Sequence, residues 1–284
     1  VKYGIRGTIR QAGEKMFRLA NRGRIEYLEA QGIPGLASAT HAFCTRRTGV
    51  SRGGFASLNV GELVGDTEEN VKENLELVER EFAIPPNGLA MCRQVHGDRI
   101  IEIGKDEPLP LPMPEGDGLV TARPGIALGI KTADCVPLLF FDRRLRVAGA
   151  VHAGWRGTAL GIAAKMIDIL LRRFASQRED IIVLIGPAIA SCCYEVDAPV
   201  YEAFAGRTKT ERFFRKCRGK ERWMFDISLA NRVQLREAGI PASNIMTAAM
   251  CTACRRELFY SHRAAQGKDE GRQLSIIMIN GTMQ

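Results

Sequence analysis

The chain has 284 residues, 45% of them hydrophobic, which suffices for a well-buried core in one large domain or two small ones. No apolar run reaches the length of a membrane-spanning helix. No charged-then-apolar leader opens the chain, so a cytoplasmic compartment is expected. The net charge of +8 invites a nucleic-acid reading, but it is unevenly spread. Residues 1–24 carry seven basic residues against Glu14, and residues 207–222 carry eight against Glu211 and Glu221. The rest of the chain is therefore mildly acidic, and the two basic segments read first as solvated faces. A polyanion-binding or regulatory module that uses the two basic segments, RNA being one such polyanion, is the non-enzymatic alternative.

Residues 1–35 mix basic residues with glycine and lack a clean period. They are set apart as a basic N-terminal segment of open attachment, before a catalytic domain over 36–284. A short strand is expected at 41–44 and a Gly/Ser-rich loop at 46–59. Asp66 and Glu69 form a capping-box pattern ahead of Val71, Leu75, Val78 and Phe82 at helical spacing, and Pro85-Pro86 stops that helix. Strand-like runs follow at 89–96, 99–103, 119–121, 126–131, 135–141 and 146–152. Thr158 is expected to cap one long helix carrying Ile162, Met166, Ile169, Leu170 and Phe174. A buried strand at 181–185, a helix opened by Asp226 and ended by Gly239, and strands at 245–250 and 274–279 complete the order. No repeat or linker interrupts it, so one mixed α/β domain is expected.

Histidine is scarce: His41, His96, His152 and His262 are all there are. Two of them stand at strand ends, His96 in Gln94-Val95-His96-Gly97 and His152 in His152-Ala153-Gly154-Trp155-Arg156-Gly157. Cys135 starts a strand in Thr132-Ala133-Asp134-Cys135. The gaps between them are too long for a zinc finger and suit a site assembled from converging strand ends. Two imidazoles and a thiolate form a zinc set that leaves a fourth position open. Gln94, Asp134 and Arg156 stand beside the ligands as supporting groups. The bland reading is polar strand ends and a buried thiol. Eight cysteines in a large chain without an export signal read as free thiols. Cys251-x-x-Cys254 alone is a weak metal signal, with His262 the nearest further ligand.

At these residues the chain resembles the laccase-domain family, also called the polyphenol oxidase or purine nucleoside phosphorylase family. The matching blocks include Ser57-Leu58-Asn59-Val60-Gly61, Gln94-Val95-His96-Gly97, Thr132-Ala133-Asp134-Cys135-Val136-Pro137, His152 to Gly157, and Cys193-Tyr194-Glu195-Val196. The resemblance runs from about residue 36 to 280. Tyr260-Ser261-His262-Arg263 and Cys254 depart from the family pattern.

The resemblance implies a four-layer sandwich, two mixed sheets packed between helices. It implies zinc at His96, Cys135 and His152. It implies phosphorolysis of adenosine, inosine and methylthioadenosine, with adenosine deaminase activity. Zinc lowers the pKa of water that it holds, which suits attack at C6 of adenosine. Asp134 is the candidate acid for the leaving ammonia, or else a group behind the ligands on the opposite strand face. For phosphorolysis, Arg46, Arg156 and Arg263 are the candidate phosphate holders. Asn59 is a candidate for a ribose hydroxyl, and Gln94 for substrate contact.

Four histidines cannot build a multicopper centre, although a single His₂Cys site also suits copper and phenol oxidation. A Cys135–His152 hydrolase is the remaining enzymatic alternative. The oligomeric state is not legible.

Overall fold

A computed structural model describes residues 16–104, 107–206 and 210–281. Most of the first basic segment, residues 1–15, lies outside them, as do residues 207–209 of the second. The elements run β1 (Phe17–Arg22), β2 (Ile25–Ala30), β3 (Ala39–Cys44), α1 (Glu68–Glu81), β4 (Leu89–Ala90), β5 (Ile100–Ile103), β6 (Gly118–Thr121), β7 (Ala127–Thr132), β8 (Val136–Asp142) and β9 (Val147–Ala153). They continue as α2 (Trp155–Leu160), α3 (Ile162–Arg173), β10 (Ile181–Ile185), β11 (Glu195–Val196), α4 (Ala198–Glu202), β12 (Phe214–Lys216), β13 (Trp223–Phe225), α5 (Ile227–Glu237), β14 (Ile245–Thr247), α6 (His262–Ala265) and β15 (Gln273–Ile279).

Two six-stranded mixed sheets carry the fold, in the orders β1-β2-β3-β15-β7-β4 and β14-β10-β8-β9-β6-β5. The two-residue alternation of a strand decides what each face meets. Along β8, Leu139 and Phe141 turn inward to join Leu128, Ile130 and Ile277 of the first sheet. Val136, Leu138 and Phe140 turn outward to Met166, Ile167 and Leu170 of α3 and Val233 of α5. On the far side, Ala42, Ile276 and Met278 of the first sheet cover Leu77 and Val78 of α1. The layers are thus helix, sheet, sheet and helices. Strands β8, β9 and β10 are buried throughout, which is why they read as continuous apolar runs.

The β1–β2 hairpin joins the edge of the first sheet, so residues 17–30 are part of the sandwich. Residues 210–222 of the second basic segment lead through β12 into β13 of a small third sheet. Phe213 and Phe214 there, with Trp223 and Phe225 of β13, face the helix-side core, while Arg215 and Lys216 remain exposed.

Several boundaries differ from expectation. The cap of α1 is Thr67, whose hydroxyl accepts from the Asn70 N–H; Asp66 stands one residue earlier and bonds Asn59, Thr67 and Asn70. The single helix expected from Thr158 is two, because Gly161 adopts φ +85° between α2 and α3, a left-handed turn that favours glycine. The strand expected at 245–250 ends at Thr247, and Ala249 is left-handed at φ 50°. The strand expected at 89–96 ends at Ala90. Beyond it, the N–H groups of Val95, His96 and Gly97 turn to one carboxylate, that of Asp117, instead of pairing with a strand.

Candidate metal centre

β7 belongs to the first sheet and β8 to the second, and residues 133–135 carry the chain between them. Cys135 ends that crossing. β9 lies beside β8 with Pro137 opposite His152, so His152 reaches the same end of the second sheet. His96 arrives on the loop after β4. The donor atoms of His96, Cys135 and His152 lie within 4.8 Å of one another. His96 Nε2 is 4.0 Å from Cys135 Sγ, and the two imidazoles meet edge to face with ring centres 4.8 Å apart.

A residue missed by sequence reasoning organises them. Asp117 is fully buried, and its Oδ1 lies 2.8 Å from Nδ1 of His152. That bond fixes the ring and leaves Nε2 for a metal. The same carboxylate accepts the N–H of His96 at 3.0 Å and of Gly97 at 2.6 Å, which holds His96 at φ 60°. The available signal was Gly116-Asp117-Gly118, a lone acid at the head of an apolar strand. Burial alone would raise the Asp117 carboxyl, but His152 and the backbone donors bring it below its ordinary range. Burial would likewise raise the Cys135 thiol; His152 and His96 outweigh it and draw the thiol down to about 6. Burial disfavours the His152 cation, yet Cys135 and Asp117 lift it to about 9.

These residues fit a metal. A thiol drawn toward thiolate and two converging imidazoles are borderline-soft donors suited to zinc or copper. Space is kept for them by Gly154, where a Cβ would lie 2.9 Å from His96 Cδ2 and 3.3 Å from Cys135 Sγ.

The trio forms part of the lining of a pocket of about 960 Å³. Gln94, Asp134, Arg156 and Arg263 also line it, whereas Arg46 and Asn59 do not. Arg46 bonds the carbonyls of Ala56, Gly54 and Arg256 and lies over the Tyr260 ring, so its donors are engaged by the scaffold. Asn59 is fully buried, with its amide between Asp66, Gly61 and the N–H of Arg272. Both are scaffold residues where substrate contacts were expected. Gln94 bonds the backbone of Lys131 in both directions at 2.8 Å.

Asp134 sits at φ 91°, and its carboxylate accepts from Thr252 Oγ1 at 2.5 Å and from the Arg263 N–H at 2.7 Å. One oxygen is thus engaged by the loop of Thr252 and the other by the first turn of α6. His262 pairs with Glu270 at 2.5 Å and is not beside Cys251 and Cys254; His41 accepts the Ala30 N–H within the first sheet.

The pocket also holds cations not singled out from sequence: Arg93, Lys131 and Arg272. Each has an acidic partner, in Glu115, Glu62 and Glu270 respectively. Arg156 has no ion pair among the described residues and stacks on Trp155 at 4.3 Å. Arg263 lies over Tyr194 and bonds the Glu195 carbonyl at 2.7 Å.

Residues 40–280 match the family described as multi-copper polyphenol oxidoreductase laccase. The chain is 37% identical over 253 residues to the purine nucleoside phosphorylase YlmD of Geobacillus stearothermophilus, covering 87% of this chain and 92% of that one. It is 34% identical over 259 residues to a purine nucleoside phosphorylase of Bacteroides thetaiotaomicron, covering 88% and 95%. The crystal structure of the Geobacillus YlmD superposes with a TM-score of 0.85 at 35% identity, covering 94% of this chain and 99% of that one.

Proposed function

The chain belongs to the laccase-domain family, and we propose that it is a zinc-dependent purine nucleoside phosphorylase acting on adenosine, inosine and methylthioadenosine, with adenosine deaminase activity. The observation that carries this reading is the His96–Cys135–His152 cluster in one pocket with Arg156, a pocket cation that has no acidic partner among the described residues. The relatives named purine nucleoside phosphorylase support it. A pocket of this size accommodates a nucleoside and a phosphate together.

Zinc held by His96, Cys135 and His152 supplies Lewis acidity at the pocket. The remaining work falls to the chain. Arg156 holds phosphate through its guanidinium, with Arg263 assisting from the neighbouring wall. Trp155, Tyr194 and Ile227 give the purine an apolar flank. Asp117 orients His152, and Asp134 fixes the backbone ahead of Cys135. A reducing cytoplasm suits eight cysteines that are all free thiols.

The test is to incubate the zinc-loaded protein with each nucleoside, with and without phosphate. Free base formed only with phosphate is expected for phosphorolysis, and inosine from adenosine without phosphate for deamination. Arg156→Ala is expected to raise KM for phosphate more than KM for nucleoside. Absence of both reactions, with His152→Ala changing nothing, would overturn the reading.

A second reading rests on the line Asp117–His152–Cys135, the arrangement of a thiol nucleophile, its base and the group that orients the base. It predicts thiol-dependent hydrolysis that survives chelation and does not need His96.

A further inference from the structure

Cys192 and Cys193 are separated from Cys251 and Cys254 by nearly sixty residues, and the fold brings all four together. β10 and β14 lie parallel, and the loops that leave them continue side by side. Ala188 bridges to Cys251, with the Ala188 N–H donating to Met250 O at 3.2 Å and the Thr252 N–H to Ala188 O at 3.1 Å. A turn in which Cys193 and Tyr194 donate to Ala190 O presents the first pair. Cys254 Sγ then lies 3.6 Å from Cys192 Sγ and 3.4 Å from Cys193 Sγ. All four sulfur atoms fall within 4.8 Å of one another.

We propose that Cys192, Cys193, Cys251 and Cys254 form a second metal site, a closed tetrathiolate that takes zinc. Four thiolates around zinc at about 2.3 Å in tetrahedral geometry stand roughly 3.8 Å apart. The observed separations are close to that, and well beyond the ~2.05 Å of a disulfide. The Ala190 N–H donates to Cys251 Sγ at 3.4 Å, a bond that favours the ionised sulfur. Soft sulfur donors select zinc over magnesium or calcium. With four protein ligands no position stays open, so this site is structural, in contrast to the three-ligand centre in the pocket. Cys251 is buried while Cys192 and Cys254 are exposed, which gives the metal a route in.

The position gives the site a purpose. Both loops bear on Asp134: the Ile189 N–H donates to its carbonyl at 2.9 Å and Thr252 Oγ1 to its carboxylate. Tyr194, next to Cys193, lines the pocket. Zinc at the four cysteines ties together the two loops that stand behind Cys135. Binding releases thiol protons and involves no redox step.

The test uses the full chain, reduced and freed of metal. Zinc titration of the wild type is expected to end near about two equivalents, and that of His96→Ala near about one. Cobalt in His96→Ala is expected to give the intense visible bands of a tetrahedral thiolate complex, lost on adding zinc. Zinc is also expected to protect Cys192 and Cys254 from alkylation in that protein, which needs no cysteine variant. Cys254→Ser in the same background is expected to lose the remaining equivalent. Cobalt spectra without thiolate bands, alkylation unaffected by zinc, or a disulfide at Cys254 in the zinc-loaded protein would overturn the proposal. None of these readouts depends on nucleoside chemistry.

Discussion

The Asp117 carboxylate is 2.8 Å from His152 Nδ1 and also gathers the backbone N–H groups that set His96. One buried acid thereby positions two of the three candidate donors. Asp117→Asn replaces an acceptor oxygen with a donor and removes the charge that matches the imidazole. It is expected to weaken metal affinity about 10- to 100-fold. Chelator competition against the wild type measures this; unchanged affinity would show that Asp117 does not orient the site.

Gly154→Ala tests the space around the donors. The added methyl would lie 2.9 Å from His96 Cδ2, too close for the ring to stay where it is. The exposed His96 can swing outward, so the fold is expected to survive with a melting temperature close to that of the metal-free wild type. Metal content is expected to fall sharply. A variant that retained full metal would contradict the geometry.

Thiol reactivity separates the cysteines. In metal-free protein His152 and His96 outweigh burial and draw the Cys135 thiol down to about 6, whereas burial pushes Cys44 and Cys92 up to about 12. Alkylation of Cys135 is expected to rise with pH through about 6 and level off above it, because the thiolate is the nucleophile. Cys44 and Cys92 are expected to stay unmodified in the native protein. Zinc is expected to block Cys135. Peptide mass mapping over a pH series reads all three.

Asp66 gives a stability prediction with a definite sign. Burial raises its carboxyl, but hydrogen bonds from Asn59 and Asn70 bring it below the ordinary value. A depressed folded-state pKa adds stability above the unfolded value of about 3.9, and that stability is lost as pH falls through the folded value. Asp66→Asn is expected to lower stability at neutral pH and to flatten the acid limb of the curve. Urea denaturation at several pH values follows it.

Asn74 is fully buried on α1 and binds the 50–59 loop: it donates to Ser51 Oγ and Asn59 O and accepts the Val50 N–H at 2.9 Å. Asn74→Ala leaves several polar groups unpartnered. It is expected to cost about 2–4 kcal/mol, since each buried orphan costs about 1–3. The urea midpoint should fall accordingly, with catalysis affected less than stability.

The central strands were legible because β8, β9 and β10 are buried on both faces and read as unbroken apolar runs. The β1–β2 hairpin was not: β1 is an edge strand that mixes apolar and basic residues and buries none of them fully, so no core-facing alternation marks it. The grouping of His96, Cys135 and His152 was legible from their flanks and the family resemblance. Asp117 was not, because a single acid between two glycines looks like a turn. Arg46 and Asn59 have the chemistry of substrate contacts, and only three-dimensional placement shows their donors already engaged. The four-cysteine cluster was invisible for a related reason, since the parallel course of two distant loops leaves no mark in either one.

The crossing at 133–135 has a further consequence. It joins a strand of one sheet to a strand of the other, and Cys135 is its last residue. An ion bound there grips the seam of the sandwich. Its binding free energy therefore adds to the cohesion of both sheets at once. Occupancy should move the melting of the whole body as one transition, with no separate loosening of a loop, so that a thermal-shift curve doubles as a binding isotherm.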